Sequence, residues 1–373
     1  MAVLIRRANV ADWELIEKFI VEAYGRSAAY KGRERWYWQF VANPFRSTLI
    51  SVWIALDEGN VVGQIAVQPT IVQIENVEYP AGWIVDVMVL PAHRGRSLGH
   101  KLHAAVAAEM PLLATLTMAP AMRRMALRAG SVSLGSVHEF TKLIHLRRDT
   151  VRRYLLTRAA NRLQIRRLVQ VACSVFRLDR LMTFMVNGFL HLTGTGQIQS
   201  GQGAVEIAEV ERFEDELDCF WNNARSEYPA IFTRSARFLN WRFVSAPDLR
   251  YRCFVARRAN QLIGYLVIRR TLAVELPTGR IVDFLVYRSD LEAIECLVKH
   301  AIGALGNEVD FIDCGTSAPE IVAILRRFGF VRTRTERPTI VCQDPELRRR
   351  MQELDGKWYF TKGDQDWDQV FVS

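Results

Sequence analysis

The sequence predicts an α/β protein of the α+β kind. Two domains share one plan, each a mixed, mostly antiparallel sheet flanked by helices, and a basic helical linker joins them. Three observations carry this. At 373 residues the chain is long for a single core, so two domains are the starting expectation. Half of it is hydrophobic and about a quarter charged, the balance of a globular chain. Finally, four landmarks occur twice in the same order. Trp38-Gln39-Phe40-Val41-Ala42-Asn43-Pro44 is matched by Trp241-Arg242-Phe243-Val244-Ser245-Ala246-Pro247, Gly63 by Gly264, and Ile84-Val85-Asp86 by Ile281-Val282-Asp283. Ala119-Pro120 followed by Gly130 is matched by Ala318-Pro319 followed by Gly329. Four matches in register indicate a tandem duplication. The expected domains are residues 1–145, a linker over 146–204, and 205–373, the last ending in an aromatic and acidic tail.

In chain order, residues 3–7 read as a strand, and Asp12 is placed to cap the helix that follows. Trp13, Ile16, Phe19 and Ile20 recur at helical spacing and form its buried side. Residues 34–44 are dense in aromatics. Residues 51–56 alternate as a strand, and Asp57-Glu58-Gly59-Asn60 is a hairpin turn. Residues 61–68 and 70–74 continue an antiparallel meander. The run from 84 to 90 is apolar except for Asp86, and Pro91 ends it, because proline cannot donate into a central ladder. Arg94-Gly95-Arg96-Ser97-Leu98-Gly99 is then a tight turn into a helix carrying Leu98, Leu102, Ala105 and Val106 on one face. Residues 112–118 form a further strand, and a short helix over 120–128 ends at Gly130.

Strand, glycine turn and helix N-terminus together make an anion site, since exposed backbone N–H groups and the helix dipole attract phosphate. The turn is therefore expected to hold a pyrophosphate. The second copy diverges here. After Asp283 it has no glycine turn, and Asp290, Glu292 and Glu295 put negative charge where a phosphate would sit, so no pyrophosphate is expected there.

The formal charge is +9, and nearly all of the excess lies between residues 145 and 204. Residues 151–168 form an arginine-rich amphipathic helix pattern, 169–192 are more apolar, and 193–203 are a Gly/Ser/Gln linker. A solvated linker, an anionic partner such as an acidic carrier protein or a membrane surface, and nucleic acid remain open for this segment. Nucleic acid is disfavoured because aromatic residues do not interleave the arginines. No apolar run reaches the roughly 18–20 residues of a membrane span, and the N-terminal stretch does not read as a signal peptide. The six cysteines form no CxxC pair. They are expected to be reduced residues of a cytoplasmic protein, with no metal. His100 and His103 stand one helical turn apart without a third ligand, so they too are read as solvated rather than metal-binding.

The order of elements, with Val87-Met88-Val89-Leu90-Pro91 leading into Arg94-Gly95-Arg96-Ser97-Leu98-Gly99, resembles the GNAT superfamily of acyl-CoA-dependent N-acyltransferases. Its acyl-CoA signature is Q/R-x-x-G-x-G/A. Arg94 matches the first position, Ser97 stands at the first glycine, and Gly99 matches the last position. Leu127-Arg128-Ala129-Gly130 resembles the family's later helix and turn. The resemblance covers most of residues 1–145, and residues 205–342 resemble the fold without the signature. It implies acetyl-CoA or another acyl-CoA as donor and an amine of a small molecule or sugar as acceptor. Backbone amides of Gly95, Arg96, Ser97, Leu98 and Gly99 would hold the pyrophosphate, with Val87 and Val89 beside the pantetheine arm.

Acyl transfer to an amine needs a base, an oxyanion donor and a route out for the thiolate. The resemblance points to Asp86 as base, directly or through water, and to the Val89 N–H as oxyanion donor. A structural carboxylate is the alternative for Asp86, because Asp283 recurs in the copy without the turn. The tyrosine that many members use to protonate the thiolate is replaced by Ala126, and by Leu325 in the second copy. Trp36, Trp38 and Trp241 are read as core fillers, with an acceptor cleft as the alternative. The tail over 358–368 is expected to pack on the second domain or to recognise a cationic or sugar-like group. A non-catalytic acyl-CoA-binding module, and an acyltransferase working with a carrier protein or at a membrane, are the rival functions.

Overall fold

The computed structural model describes residues 3–25, 28, 31–118, 120–128, 130–152, 173, 177–192, 205–273 and 276–369. The arginine-rich stretch from 153 to 168 and the Gly/Ser/Gln stretch over 193–203 lie outside the described residues. The chain forms two compact units, and each draws on both repeats of the sequence. The first gathers residues 1–137, 211–250 and 335–367; the second gathers 138–210, 251–334 and 368–373.

In the first unit the sheet runs in the order β1 (Leu4–Arg7), β2 (Val52–Asp57), β3 (Asn60–Ile74), β4 (Val77–Val89), β5 (Leu112–Thr115), β15 (Thr339–Cys342) and β6 (Val132–Ser133). A further strand, β9 (Ala230–Phe232), pairs with β3 and with β16 (Trp358–Tyr359). The β2–β3 turn is made by Glu58 and Gly59, both at positive φ, as a two-residue hairpin loop between twisted strands requires. Helix α1 (Trp13–Tyr24) buries Trp13, Ile16, Phe19 and Ile20. Its expected cap is corrected. Asp12 makes no cap bond to α1. It instead receives two 2.7 Å hydrogen bonds from Arg6 and closes a capping box with Asn9 one turn earlier. A carboxylate held by a guanidinium fork has no lone pair well placed for the helix end.

Helix α2 (Arg33–Phe40) carries the first aromatic cluster. Trp36, Trp38 and Trp241 are all buried. Trp38 and Trp241, equivalent residues of the two repeats, stack at 5.1 Å. Each indole N–H donates to the other residue's carbonyl, at 2.8 and 2.9 Å. Their polar edges are thus satisfied inside the core, as buried indoles require. The remaining helices near the sheet are α3 (Leu98–Glu109), buried through Leu98, Leu102 and Val106, and α4 (Pro120–Arg128).

The second unit's sheet runs β14 (Val331–Glu336), β7 (Val137–Leu143), β13 (Phe311–Thr316), β12 (Leu276–Val286), β11 (Gln261–Ala273), β10 (Tyr251–Arg258) and β8 (Val205–Val210). The repeated landmarks of the sequence fall at matching places in the two registers. Gly63 pairs with Val89 and Gly264 with Val286. Both strand pairs skip one residue at the same place, Val85 in β4 and Val282 in β12. A side chain on Gly264 would meet the Leu285 carbonyl at 2.7 Å, which accounts for glycine there. The last strand of each repeat is exchanged. β7, from the first repeat, pairs with β13, and β15, from the second, pairs with β5. The tail, expected with the second domain, instead joins the first unit as far as Trp367.

Candidate active site

The bulge at Val85 decides what β4 can bind. β5 pairs with β4 only at Gly82 and Trp83, and beyond that point the β4 edge on this side has no strand partner among the described residues. Leu90 N–H donates to the Val62 carbonyl at 2.9 Å, so Leu90 faces β3. Backbone groups alternate along a strand. The N–H and C=O of Val89, and of Val87, therefore face the open edge. Val87 is exposed and Val89 half-buried.

At the end of this edge the chain turns into α3. Arg94, Gly95, Arg96 and Ser97 are exposed, Leu98 is buried and anchors the helix, and a side chain on Gly99 would meet only open space. Gly95 and Ser97 both have positive φ, +79° and +55°. The signature's glycine position is thus left-handed here, and serine holds it against the usual preference. Ser97 makes no side-chain cap bond. The first-turn N–H groups of α3 have no intrahelical acceptor and are available to an anion. Arg94 Nε donates to the Val89 carbonyl at 3.2 Å, tying the turn back to the β4 edge, while Arg96 approaches Asp57 at 3.9 Å.

Asp86 sits one residue past the bulge, its side chain largely buried. Lys31, two residues before α2, places its ammonium 2.5 Å from Asp86 Oδ1. The Tyr24 hydroxyl, at the end of α1, donates to the same oxygen at 3.3 Å. The Lys31 ammonium lies 4.7 Å from the centroid of the Tyr24 ring, within cation–π range.

The tail brings a second carboxylate that the sequence reading did not identify. Gln365 reaches the opening between β4 and β5. Its Nε2 donates to the Ile84 carbonyl at 2.6 Å, and its Oε1 accepts from the N–H of Leu116 and Thr117 at 3.0 and 3.3 Å. In the second unit the equivalent of Ile84, Ile281, pairs directly with Cys314 of β13. The glutamine therefore replaces a rung that the first sheet lacks. A buried ion pair, Arg234 to Asp364 at 2.7 Å, and a bond from Arg242 to the Gln365 carbonyl at 3.0 Å fix this segment. Asp366 follows. Burial, reinforced by the charge of Asp86, pushes its carboxyl up to about 7. Lys31 and Arg242 act in the opposite direction. Nothing in the local sequence marks Asp366 except the acidic character of the tail.

The second repeat has closed both features. Asp290 caps its helix Leu291–Gly306, accepting from Ala293 N–H at 3.0 Å, and is paired with Arg258 at 2.7 Å. The helix N-terminus is thus filled by a carboxylate. Asp283, the twin of Asp86, is fully buried and accepts 2.8 Å from the Tyr265 hydroxyl. Elsewhere, burial holds His103 below the ordinary histidine range, assisted by His100. Among the described residues no group of three His, Cys, Asp or Glu side chains could hold a metal.

An open β4 edge, a positive-φ turn and an uncapped helix N-terminus lie within residues that match the family model of the acetyltransferase (GNAT) domain, residues 4–125. Residues 4–125 thus resemble a GNAT acetyltransferase domain. Solved structures extend the likeness to the whole GNAT-type frame, each covering 91% of this chain. A GCN5-related N-acetyltransferase from Anabaena variabilis is 12% identical over 72% of its own length, with a TM-score of 0.58. A conserved Enterococcus faecalis protein of unknown function, described as a probable N-acyltransferase, gives 0.60 at 12% identity over 72% of its length. Saccharomyces cerevisiae N-myristoyltransferase with bound myristoyl-CoA gives 0.54 at 9% identity over 78%. At these identities the likeness is one of fold. No curated protein matches the chain by sequence.

Proposed function

We propose that the protein is an acyl-CoA-dependent N-acyltransferase that moves an acyl group, acetyl or longer, directly to a primary amine of a small molecule or amino sugar. The observation that carries this is the pairing of the open β4 edge with the α3 turn at one end and two carboxylates, Asp86 and Asp366, beside it. In this reading the amides from Gly95 to Gly99 hold the donor's pyrophosphate, and Val87 and Val89 line its pantetheine arm. The acceptor nitrogen attacks the thioester carbonyl after giving a proton to the Asp86–Asp366 pair, with Asp366 ionised above about pH 7. The N–H of Val89 bonds the oxyanion as the tetrahedral carbon forms. The C–S bond then breaks, the amide nitrogen gives its second proton to water, and the thiolate leaves without a tyrosine at Ala126, taking its proton from water. A cytoplasmic setting fits the six cysteines, none of which is in a disulfide.

Calorimetric titration of the full-length protein with acetyl-CoA tests the donor site. Gly99→Trp adds bulk where the fold leaves open space, so it should weaken binding by more than about tenfold, 1.4 kcal/mol, with the thermal transition retained. Absent binding, or binding indifferent to the substitution, would sink the assignment. The lack of a tyrosine at Ala126 favours one rival, a non-catalytic acyl-CoA-binding module. It predicts donor binding without thioester cleavage across a broad panel of amines.

A further inference from the structure

Asp86 does not face an empty cleft. Its carboxylate is contacted by the Lys31 ammonium at 2.5 Å, and both side chains are about nine-tenths buried. Two features converge on that ammonium, the Asp86 carboxylate and the face of the Tyr24 ring at 4.7 Å, and Asp366 is near enough for Lys31 to favour its ionised form. Carboxylates and an aromatic face are the groups that recognise a cationic amine. The Asp86–Asp366 pair is also where the proposed reaction needs its acceptor nitrogen. Two ammonium groups cannot share one carboxylate oxygen without strong repulsion.

We propose that Tyr24, Asp86 and Asp366 form a primary-ammonium site, and that Lys31 fills it as an internal competitor of the acceptor. An incoming amine must displace Lys31 before it can reach the carboxylates. The site is entered by a four-methylene stem, so the acceptor class is an unbranched alkylamine, such as a polyamine or a lysine-like side chain. Its identification as the acceptor site rests on the acyltransferase reading; ammonium binding itself does not.

The test uses the full-length protein labelled with 13C at the lysine ε-carbons, without donor. The Tyr24 ring should shift the Lys31 ε-CH2 signal away from the exposed-lysine position, with Lys31→Arg giving the assignment. Titration with 1,5-diaminopentane should move that signal saturably to the exposed position, while sodium chloride at equal ionic strength should not. A signal that stays in place at millimolar diamine, or moves equally with salt, overturns the proposal. Calorimetry with Lys31→Met gives an independent reading. Removing the competitor should tighten diamine binding by about tenfold or more, and unchanged affinity in the folded variant contradicts it. Acetyl-CoA affinity, measured in the same preparations, separates the two claims. Diamine displacement without donor binding would leave the ammonium site standing and remove the acyltransferase reading. Donor binding without displacement would do the reverse.

Discussion

At the scale of single residues, the proposed site rests on two carboxylates of different standing. Asp86 is legible in the sequence, because one acid inside an apolar strand must be satisfied by something. Asp366 is not, because its role depends on folding that brings it beside a residue 280 positions earlier. The same environment that suits Asp366 to accept a proton works against folding. Its folded carboxyl is raised to about 7 from an unfolded value near 3.9, so the native state binds the proton more tightly. This group therefore costs stability as pH rises from about 4 through 7, and the full cost is present above that. Asp366→Asn removes it. The variant should show a higher urea midpoint than the parent at pH 8, and the advantage should vanish near pH 4. Equal midpoints at pH 8 would mean that the carboxyl is not perturbed.

At the scale of elements, the strand order of the first meander, the glycine turn and the helix behind it could all be read from local pattern. The rung supplied by Gln365 could not, since a glutamine carries no positional signal until its partners are known. Gln365 also holds a φ of +59°, which disfavours any side chain. Gln365→Ala leaves the Ile84 carbonyl and the Leu116 N–H without their partner. Each such buried group costs about 1–3 kcal/mol, and the loss should appear as a lower denaturation midpoint. Gln365→Gly loses the same bonds but relieves the backbone, so it should be the more stable of the two. Alanine being the more stable would show that the left-handed conformation is not retained in solution.

At the scale of the whole molecule, the repeated landmarks were legible, but the partition of the chain was not. The last strand of each repeat, β7 or β15, carries no local signal of which sheet it completes, and only tertiary pairing decides. Since β9, β15 and the tail as far as Trp367 belong to the first unit, residues 1–145 alone lack three of its strands and the Gln365 rung. That fragment should unfold without a cooperative transition, and a sharp one would restore an independent first domain. The central claim is that the open β4 edge and the Asp86–Asp366 pair catalyse acyl transfer. Its most direct test is release of CoA thiol from acetyl-CoA and 1,5-diaminopentane, followed from pH 5.5 to 8.5 with the parent and Asp366→Asn. The account predicts a rate that rises through about pH 7 in the parent and falls by about 10²–10⁴ in the variant, with donor affinity retained. A rate no greater than the uncatalysed one, or a pH profile that Asp366→Asn leaves unchanged, would contradict it.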